Sequence, residues 1–338
     1  MKVDTGLTVD LAHVAEAAER AERLGYDGVF TPETGHDPFL AHAIAAEHTE
    51  TLELGTAVAI AFPRSPMASA QIAWDLQKFS KGRFTIGLGT QVKGHIVRRY
   101  GMDWVSPGPR LREYVLMMHA VWDSWQNGTK PAFEGEHYRY TLTSPFFQAG
   151  PIDAPFPKVH ISAINPYNCR TVGRHCDGIK LHPFNTPKYM EDTILPNIKK
   201  GLEKSGRTMD EIEVCGAGFI ITGETEEDVE KAKAPVRQQL SFYASTRSYK
   251  VVLDAHGWGD VNEELFGLSI EGKWQEMAAG ITDEMLEQFA TIGTYDEIVG
   301  KIKARSAGVI DRVTFQIPAN NPDEEERLKS MIKELQAA

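Results

Sequence analysis

The sequence predicts an α/β protein folded as a (β/α)8 (TIM) barrel. Short apolar, β-rich runs alternate with longer helical patterns along the 338 residues. The strand runs are continuous rather than strictly alternating, as in FTIGLG at 84–89, which is typical of parallel strands buried on both faces. Eight such runs with helices between them favour a closed barrel, and an open doubly wound sheet is the alternative.

The predicted strands share short length and turn residues at their ends. They are 2–5, 27–31, 52–61, 84–89, 159–164, 178–182, 213–221 and 311–317. Helical periodicity is clearest over 10–24, where Gly25 is placed to end the helix. Capping residues followed by proline predict helix starts at Asp37-Pro38, Ser65-Pro66, Asn165-Pro166 and Thr186-Pro187. The βα junctions are therefore expected to be short and sharply defined.

We expect one barrel domain over 1–338 with two insertions. Residues 90–157 follow strand four and predict a helix near 109–126 and a hairpin near 132–142. Strands seven and eight are separated by 222–310, with extra helices near 260–278 and 282–290, so that the insertion proper covers about 245–292. Both insertions leave the barrel at its C-terminal face, where barrel enzymes hold their active sites, and are expected to form pocket walls or lids. The last helix, near 323–336, is highly charged and expected to be solvated.

Charge and cysteine content narrow the class of protein. The net charge of −11 argues against nucleic acid and anionic membrane surfaces as partners. The three cysteines, Cys169, Cys176 and Cys215, form no C-x-x-C motif and suit a reducing cytosol. Neither an N-terminal signal pattern nor an apolar stretch of about 18 residues is visible. We therefore expect a cytoplasmic protein that acts on a small molecule.

The segment TPETGHDPF, residues 31–39, brings ionisable side chains to the end of strand two. Glu33 and His36 are candidates for exchanging protons with a bound substrate or cofactor. Asp37 is better explained as the cap of the following helix.

Two further strand ends are rich in small residues. In 54–66 no bulky side chain blocks a flat ring from the backbone of Ala57 to Ile60, although barrel packing explains the same composition. In 83–95, Gly87 and Gly89 allow close backbone approach and Thr90 offers a hydroxyl. The glycines complete neither a dinucleotide-binding fingerprint nor a phosphate-binding loop.

Strands five and six end in polar residues. Asn165-Pro166 opens a helix whose first N–H groups could hold a phosphate; simple capping is the alternative, and the two are compatible. Lys180 and His182 lie two residues apart and face one side of strand six, with His182 near the mouth. Lys180 is a candidate Schiff-base lysine or a barrel lysine paired with an acid. The sequence has no H-E-x-x-H motif and no H-x-H pair at a strand end, so no metal site is expected.

Together these segments resemble the luciferase-like monooxygenase superfamily, and most closely its branch that depends on the deazaflavin coenzyme F420. The resemblance runs from Met1 to about Ala319 and rests on the phrases ETGHDPF, LGTAVAIAFPRSP, GRFTIGLGTQVKGH, REYV with VWDSWQNG, and HGWGD. It implies a barrel with the cofactor ring at the C-terminal mouth. It also implies a non-proline cis peptide in a bulge after strand three, at Ala57-Val58 or next to it.

The resemblance also implies roles for individual residues. Similar enzymes place an acid followed by histidine after strand two; Glu33 matches the acid, but Thr34 follows it and His36 comes later. The deazaflavin-dependent sugar-phosphate dehydrogenases carry a glutamate where this chain has Val92, which argues against that reaction. The implied cofactor contacts, of which the last three serve the ribityl-phosphate arm, are Ala57, Val58, Ala59, Ile60, Gly89, Thr90, Ala163, Ile164 and Asn165.

The expected reaction is hydride transfer between C5 of coenzyme F420 and a carbonyl, enone or alcohol. Glu33, His36 and His182 are the candidates for exchanging the matching proton. The substrate pocket is expected to be lined by Phe62, His95, Phe184 and the insertions. The alternatives are an FMN-dependent monooxygenase supplied with reduced flavin by a partner reductase, an aldolase acting through Lys180, and a non-catalytic flavin-binding relative. Similar proteins are commonly homodimers, and we expect one here.

Overall fold

A computed structural model describes residues 1–216 and 218–337 of the chain. Its strands are mostly short and parallel. Those that form the barrel are β1 (Lys2–Gly6), β2 (Gly28–Thr31), β3 (Glu53–Thr56), β4 (Ala59–Ile60), β5 (Phe84–Gly89), β8 (Lys158–Ser162), β9 (Gly178–Lys180), β10 (Glu213–Cys215) and β13 (Arg312–Thr314). The remaining strands are β6 (Phe133–Glu134), β7 (Arg139–Tyr140), β11 (Phe219–Gly223) and β12 (Ala290–Thr294).

Helices cover the barrel strands on the outside, and further helices lie in the two long connections between strands. They are α1 (Val14–Leu24), α2 (Leu40–His48), α3 (Pro66–Phe79), α4 (Lys93–Arg98), α5 (Pro107–Asn127), α6 (Pro166–His175), α7 (Pro187–Tyr189), α8 (Leu195–Ser205), α9 (Glu226–Ala244), α10 (Lys250–Asp254), α11 (Gly259–Ile270), α12 (Asp283–Phe289), α13 (Tyr295–Ser306) and α14 (Pro322–Gln336). Within the described ranges, none of these helices combines the length and apolar character that crossing a membrane requires.

The barrel closes through parallel pairing of β3 with β5. Around it the strands run β3-β2-β1-β13-β10-β9-β8-β5-β4, and Leu54 and Gly55 of β3 pair with Phe84 and Thr85 of β5. The predicted (β/α)8 barrel is therefore confirmed, and the open doubly wound sheet is excluded. Helices cover the strands on the outside, which explains why the strand sequences are apolar throughout.

Two predicted strands are each divided in the structure. The run 52–61 is broken by the cis peptide bond Ala57-Val58, as the family resemblance implied, and this bond separates β3 from β4. The run 213–221, of which position 217 lies outside the described residues, ends in the barrel at Cys215 and resumes as β11, which pairs with β12 in a separate parallel sheet. Gly216 and Gly218, at φ +105° and +82°, turn the chain out of the barrel.

Three of the four predicted helix starts are confirmed by side-chain caps. Ser65, Asn165 and Thr186 accept hydrogen bonds from the backbone N–H groups of residues 68, 168 and 189 at 3.0–3.1 Å. The start predicted at Asp37-Pro38 lies too early, because α2 begins at Leu40. The Asp37 carboxylate still accepts hydrogen bonds from the N–H groups of Phe39 and Leu40.

The C-terminal helix α14 is not fully solvated as its charge suggested. Leu328, Met331, Ile332 and Leu335 form a buried stripe at helical spacing. The many charged residues between these positions make the composition of the helix polar, although the stripe anchors α14 to the barrel.

The two long connections leave the barrel after β5 and β10. The first holds α4, the long helix α5 and the β6–β7 hairpin, close to the predicted positions. The second holds the β11–β12 sheet and the helices α9 to α12. Since both begin at the carboxyl ends of barrel strands, both start on the side where the candidate site residues lie.

The opposite end of the barrel holds a buried cluster of ion pairs. The Arg312 side chain is 0% exposed and donates two hydrogen bonds to the Asp4 carboxylate at 2.8 and 2.5 Å. It also contacts Glu53 at 2.5 Å and Glu213 at 3.3 Å. The buried guanidinium is thus surrounded by carboxylates from three other strands and ties them together below the site.

Candidate functional site

The barrel mouth has a floor of small residues after β3. Ala57 is exposed and Val58 is half-buried, and the cis peptide joins them. The side chains of Ala59 and Ile60 are buried where β4 pairs with Leu88 and Gly89 of β5, and the expected contact of a ring with their backbone stays a prediction. Of the four residues expected beneath the cofactor ring, two present side chains to the mouth, and we call these two the bulge.

The glycines of β5 make room for this bulge. A Cβ on Gly87 would lie 2.0 Å from the Thr56 carbonyl oxygen, and one on Gly89 would lie 2.7 Å from Val58 Cγ2. The close approach that these two glycines allow is therefore made by Thr56 and Val58 of the protein itself. Thr90 is half-buried, and its hydroxyl donates to the Gln91 carbonyl at 3.0 Å.

Substitution of Gly89 tests whether Val58 sets the shape of the floor. Gly89→Ala is expected to displace Val58 and to weaken cofactor binding roughly tenfold, since well-packed sites do not absorb an added methyl group freely. The double variant Gly89→Ala/Val58→Ala removes the clashing methyl groups and should recover most of the affinity, measured by fluorescence titration. Equal affinity of wild type and Gly89→Ala would show that Val58 does not shape the ring seat.

Glu33 is held by the backbone after the bulge and by Arg64. Its carboxylate accepts the Ile60 N–H at 2.6 Å and the Arg64 guanidinium at 2.7 and 2.9 Å. The Tyr100 hydroxyl lies 3.4 Å away. A carboxylate with these partners positions the backbone after β3, while the expected role of Glu33 in proton exchange stays a prediction.

His36, the second candidate for proton exchange, is exposed. Its side chain makes no hydrogen bond within residues 1–216 and 218–337. Arg64 was not singled out in the sequence, although it links Glu33 to Asp37, the latter at 3.2 Å. The partners lie 31 and 27 positions apart, and no local pattern reports such a pairing.

The two carboxylates on Arg64 offer a matched comparison. Glu33→Gln is expected to lower the cofactor affinity about tenfold and the unfolding free energy by roughly 2 kcal/mol, because it weakens the ion pair that holds the backbone just after the bulge. Asp37→Asn, at the exposed end of Arg64, should change either quantity by less than about 0.5 kcal/mol. Titration and urea unfolding would show whether the two variants differ; equal effects would refute a special role for Glu33.

His182 lies just past the end of β9, within a group of aromatic rings. Its ring centroid is 4.7 Å from that of Tyr243 and 4.5 Å from that of Tyr249. Burial lowers its pKa to about 4, so the ring is neutral near pH 7. The Phe184 N–H donates to Nδ1 at 3.0 Å, which places the ring's own proton on Nε2. His182 is therefore a neutral hydrogen-bond donor.

The three residues expected to line the substrate pocket are not brought together. Phe62 and Phe184 are 1% and 0% exposed, and Phe184 stacks on Phe289 with centroids 4.5 Å apart. His95 is exposed on α4. Phe62 and Phe184 thus support the wall from behind, and Tyr243 of α9, which the sequence did not indicate, takes the position beside His182.

The start of α6 has few free donors for a phosphate. Pro166 has no N–H, and Asn165 accepts the N–H groups of Asn168 and Cys169 at 3.0 and 3.1 Å. Ala163 is buried and the Ile164 carbonyl accepts from Tyr189. Only the Tyr167 N–H of the first turn is left, within the described part of the chain, so capping explains this segment better than phosphate binding.

Lys180 is turned inward and does not reach the mouth. Its Nζ lies 3.5 Å from the centroid of the Phe30 ring, and the residue is 8% exposed. A cation over an aromatic face inside a barrel is a packing interaction. Nothing in this placement supports Schiff-base chemistry.

His160, Glu213 and Cys215 bring ligand-type atoms within 4.8 Å of one another below Lys180. His160 faces Glu213 with Nε2 and Cys215 with Nδ1, so one ion cannot use both contacts. Burial and the charge of Lys180 hold the pKa of His160 well below its usual range. The surrounding cations oppose a divalent metal, and we assign the three residues to barrel packing.

The chain matches a known protein family over most of its length. The family model described as luciferase-like monooxygenase matches residues 2–312, which is most of the chain. The chain belongs to the luciferase-like monooxygenase family.

Relatives in this family include deazaflavin enzymes. An uncharacterised protein of Mycobacterium tuberculosis is 43% identical over 313 residues, covering 93% of this chain and 92% of its own length. The 5,10-methylenetetrahydromethanopterin reductase of Archaeoglobus fulgidus is 26% identical over 297 residues, covering 86% and 84%. The coenzyme F420-dependent tetrahydromethanopterin reductase of Methanopyrus kandleri superposes with a TM-score of 0.77 at 20% identity, covering 100% and 98%, which shows the shared fold.

The floor of the mouth after β3 carries no charged side chain. Ala57 and Val58 leave an open, uncharged floor, and Gly89 lets Val58 lie low against β5. His182 follows β9, and β9 lies three strands from β3 around the barrel.

Proposed function

We propose that this protein is a coenzyme F420-dependent oxidoreductase that transfers a hydride to or from a carbonyl, enone or alcohol. The proposal is supported by a relative named as a putative coenzyme F420-dependent oxidoreductase and by the neutral hydrogen-bond donor His182 just past the end of β9. The observation that carries it is the tautomer of His182, fixed by the Phe184 N–H.

In this proposal Ala57 and Val58 would hold the ring, and Glu33 with Arg64 fixes the backbone that follows them at Ile60. When bound, the deazaflavin supplies a hydride from C5, or accepts one there, and reacts poorly with oxygen because carbon replaces N5. The chain's own contribution is orientation of the reactants and exclusion of water.

His182 directs the substrate oxygen. Its Nε2–H donates to the oxygen as negative charge develops there, and a preformed neutral donor of this kind stabilises such charge without rearrangement. Because Nδ1 already accepts the Phe184 N–H, the ring cannot be reprotonated from behind. The net proton that completes reduction therefore comes from water at the mouth.

The reaction itself is the test. Reduced F420, mixed anaerobically with the protein and a panel of small enones, ketones and aldehydes, should be oxidised in step with formation of the saturated ketone or alcohol. Heat-denatured protein is the control. Failure with the whole panel in both directions, combined with oxygen uptake when reduced FMN replaces F420, would contradict the proposal.

We also propose that the protein forms a homodimer and that a separate enzyme renews its cofactor. Sedimentation at micromolar concentration should give about twice the mass of one chain. A monomer there would refute the dimer without bearing on the chemistry.

A further inference from the structure

An apolar groove runs along α9 on the mouth side of the molecule. It has a volume of about 670 Å³ and is lined by Pro235, Gln238, Gln239, Phe242, Tyr243 and Trp274. Phe242 and Trp274 are 47% and 46% exposed, and their ring centroids lie 6.1 Å apart. Single exposed aromatic residues are common, whereas two large ones side by side in a groove indicate a binding surface.

The groove shares one lining residue with the group of rings around His182. Tyr243 lines the groove and also contacts His182, with ring centroids 4.7 Å apart. On its other side Tyr243 lies 5.9 Å from Phe242, which in turn neighbours Trp274. A row of four rings therefore leads from the hydrogen-bond donor at the mouth to the outer end of the groove.

The lining is uncharged and offers little hydrogen bonding. No Asp, Glu, Lys, Arg or His is among the six lining residues. The Gln238 amide N–H already donates to the Trp274 carbonyl at 2.7 Å, and that of Gln239 donates to the Tyr243 hydroxyl at 3.0 Å. A ligand here gains mainly by apolar contact and ring stacking, which selects a neutral aromatic group.

We propose that this groove binds an aromatic extension of the substrate, whose carbonyl, enone or alcohol end reaches His182. This inference rests on the proposed function, because it names the substrate class of the same site. It predicts that Phe242 and Trp274 determine specificity for a neutral substrate with an aromatic tail of more than one ring, and that they take no part in the chemistry.

Two substrates with one reacting group test this. The first is a methyl enone with a biphenyl group on its terminal carbon, and the second is the analogue with a methyl group there. Trp274→Ala and Phe242→Ala are expected to raise KM for the biphenyl enone about tenfold, to leave its kcat nearly unchanged, and to leave both constants for the methyl enone unchanged. Phe146→Ala, at a 95% exposed ring outside the groove, is the matched control.

Calorimetric binding of the biphenyl enone to the protein without cofactor separates the two proposals. Weaker binding to Trp274→Ala without turnover in any variant would support the groove and refute the proposed reaction. If the wild type turns over both enones and the groove variants bind and use them equally well, the proposed role of the groove is refuted and the proposed reaction is not. Dissociation of a dimer by Trp274→Ala, without a change in enone preference, would identify the groove as an interface and overturn the inference.

Discussion

His182→Phe is expected to lower kcat for F420-dependent hydride transfer about a hundredfold while leaving the cofactor affinity within about twofold. Phenylalanine keeps a ring between Tyr243 and Tyr249 but removes the Nε2–H that we propose as donor to the substrate oxygen. His182→Gln, whose amide can place an N–H near the same point, should retain about a tenth of the wild-type rate. Single-turnover kinetics with saturating cofactor would measure both. Equal rates in His182→Phe and wild type would remove His182 from the mechanism.

The pH dependence of the same reaction distinguishes a neutral donor from a protonated acid. Because the pKa of His182 is about 4, the ring is already neutral at pH 5 to 8, and kcat should be nearly flat across about that range. Activity should fall only as the pH approaches 4, where a second proton reaches Nδ1 and breaks its bond with the Phe184 N–H. A general acid with the usual histidine pKa of 6.5 would instead lose activity as the pH rises through that value.

Arg312→Met is expected to destabilise the barrel by roughly 3 to 5 kcal/mol, the usual cost of leaving a buried charge without its partner. The substitution strands Asp4, which is 4% exposed at its side chain and whose pKa burial already raises. The urea-unfolding midpoint measures the loss. Since the single variant can fail to fold, Asp4→Asn/Arg312→Met should recover part of the stability by removing the stranded charge.

Lys2→Met is the control at the rim of the same cluster. Lys2 contacts Glu53 at 2.5 Å but is 40% exposed at its side chain, so its removal should cost less than about 1 kcal/mol. An Arg312→Met variant as stable as Lys2→Met would show that the buried pairs do not hold the barrel together.

Patterns that are local in sequence predicted the fold well. Strands β1, β2 and β5 begin and end within one residue of their predicted bounds. The helix caps that precede proline, Ser65 and Asn165, are also at their predicted positions. The two divided strands were missed because apolar composition does not change at the breaks. In each case the break is a backbone event, a cis bond at Ala57-Val58 or a pair of left-handed glycines.

The site was harder to predict because its contacts join distant parts of the chain. Glu33 was identified, but its role depends on Arg64, 31 residues later. His182 was also identified, although its tautomer and its low pKa depend on Phe184 and on burial among rings from the second insertion. Phe62 and Phe184 were expected at the surface of the pocket because composition alone does not distinguish an exposed aromatic wall from a buried one.

The most direct test of deazaflavin-dependent chemistry is titration of the purified apoprotein with F420 and with FMN, following cofactor fluorescence. We expect F420 to bind at least tenfold more tightly than FMN, and Gly89→Ala to bind it more weakly than the wild type. Tight binding of FMN with weak binding of F420 would contradict the proposed function and direct the search to oxygen-dependent chemistry.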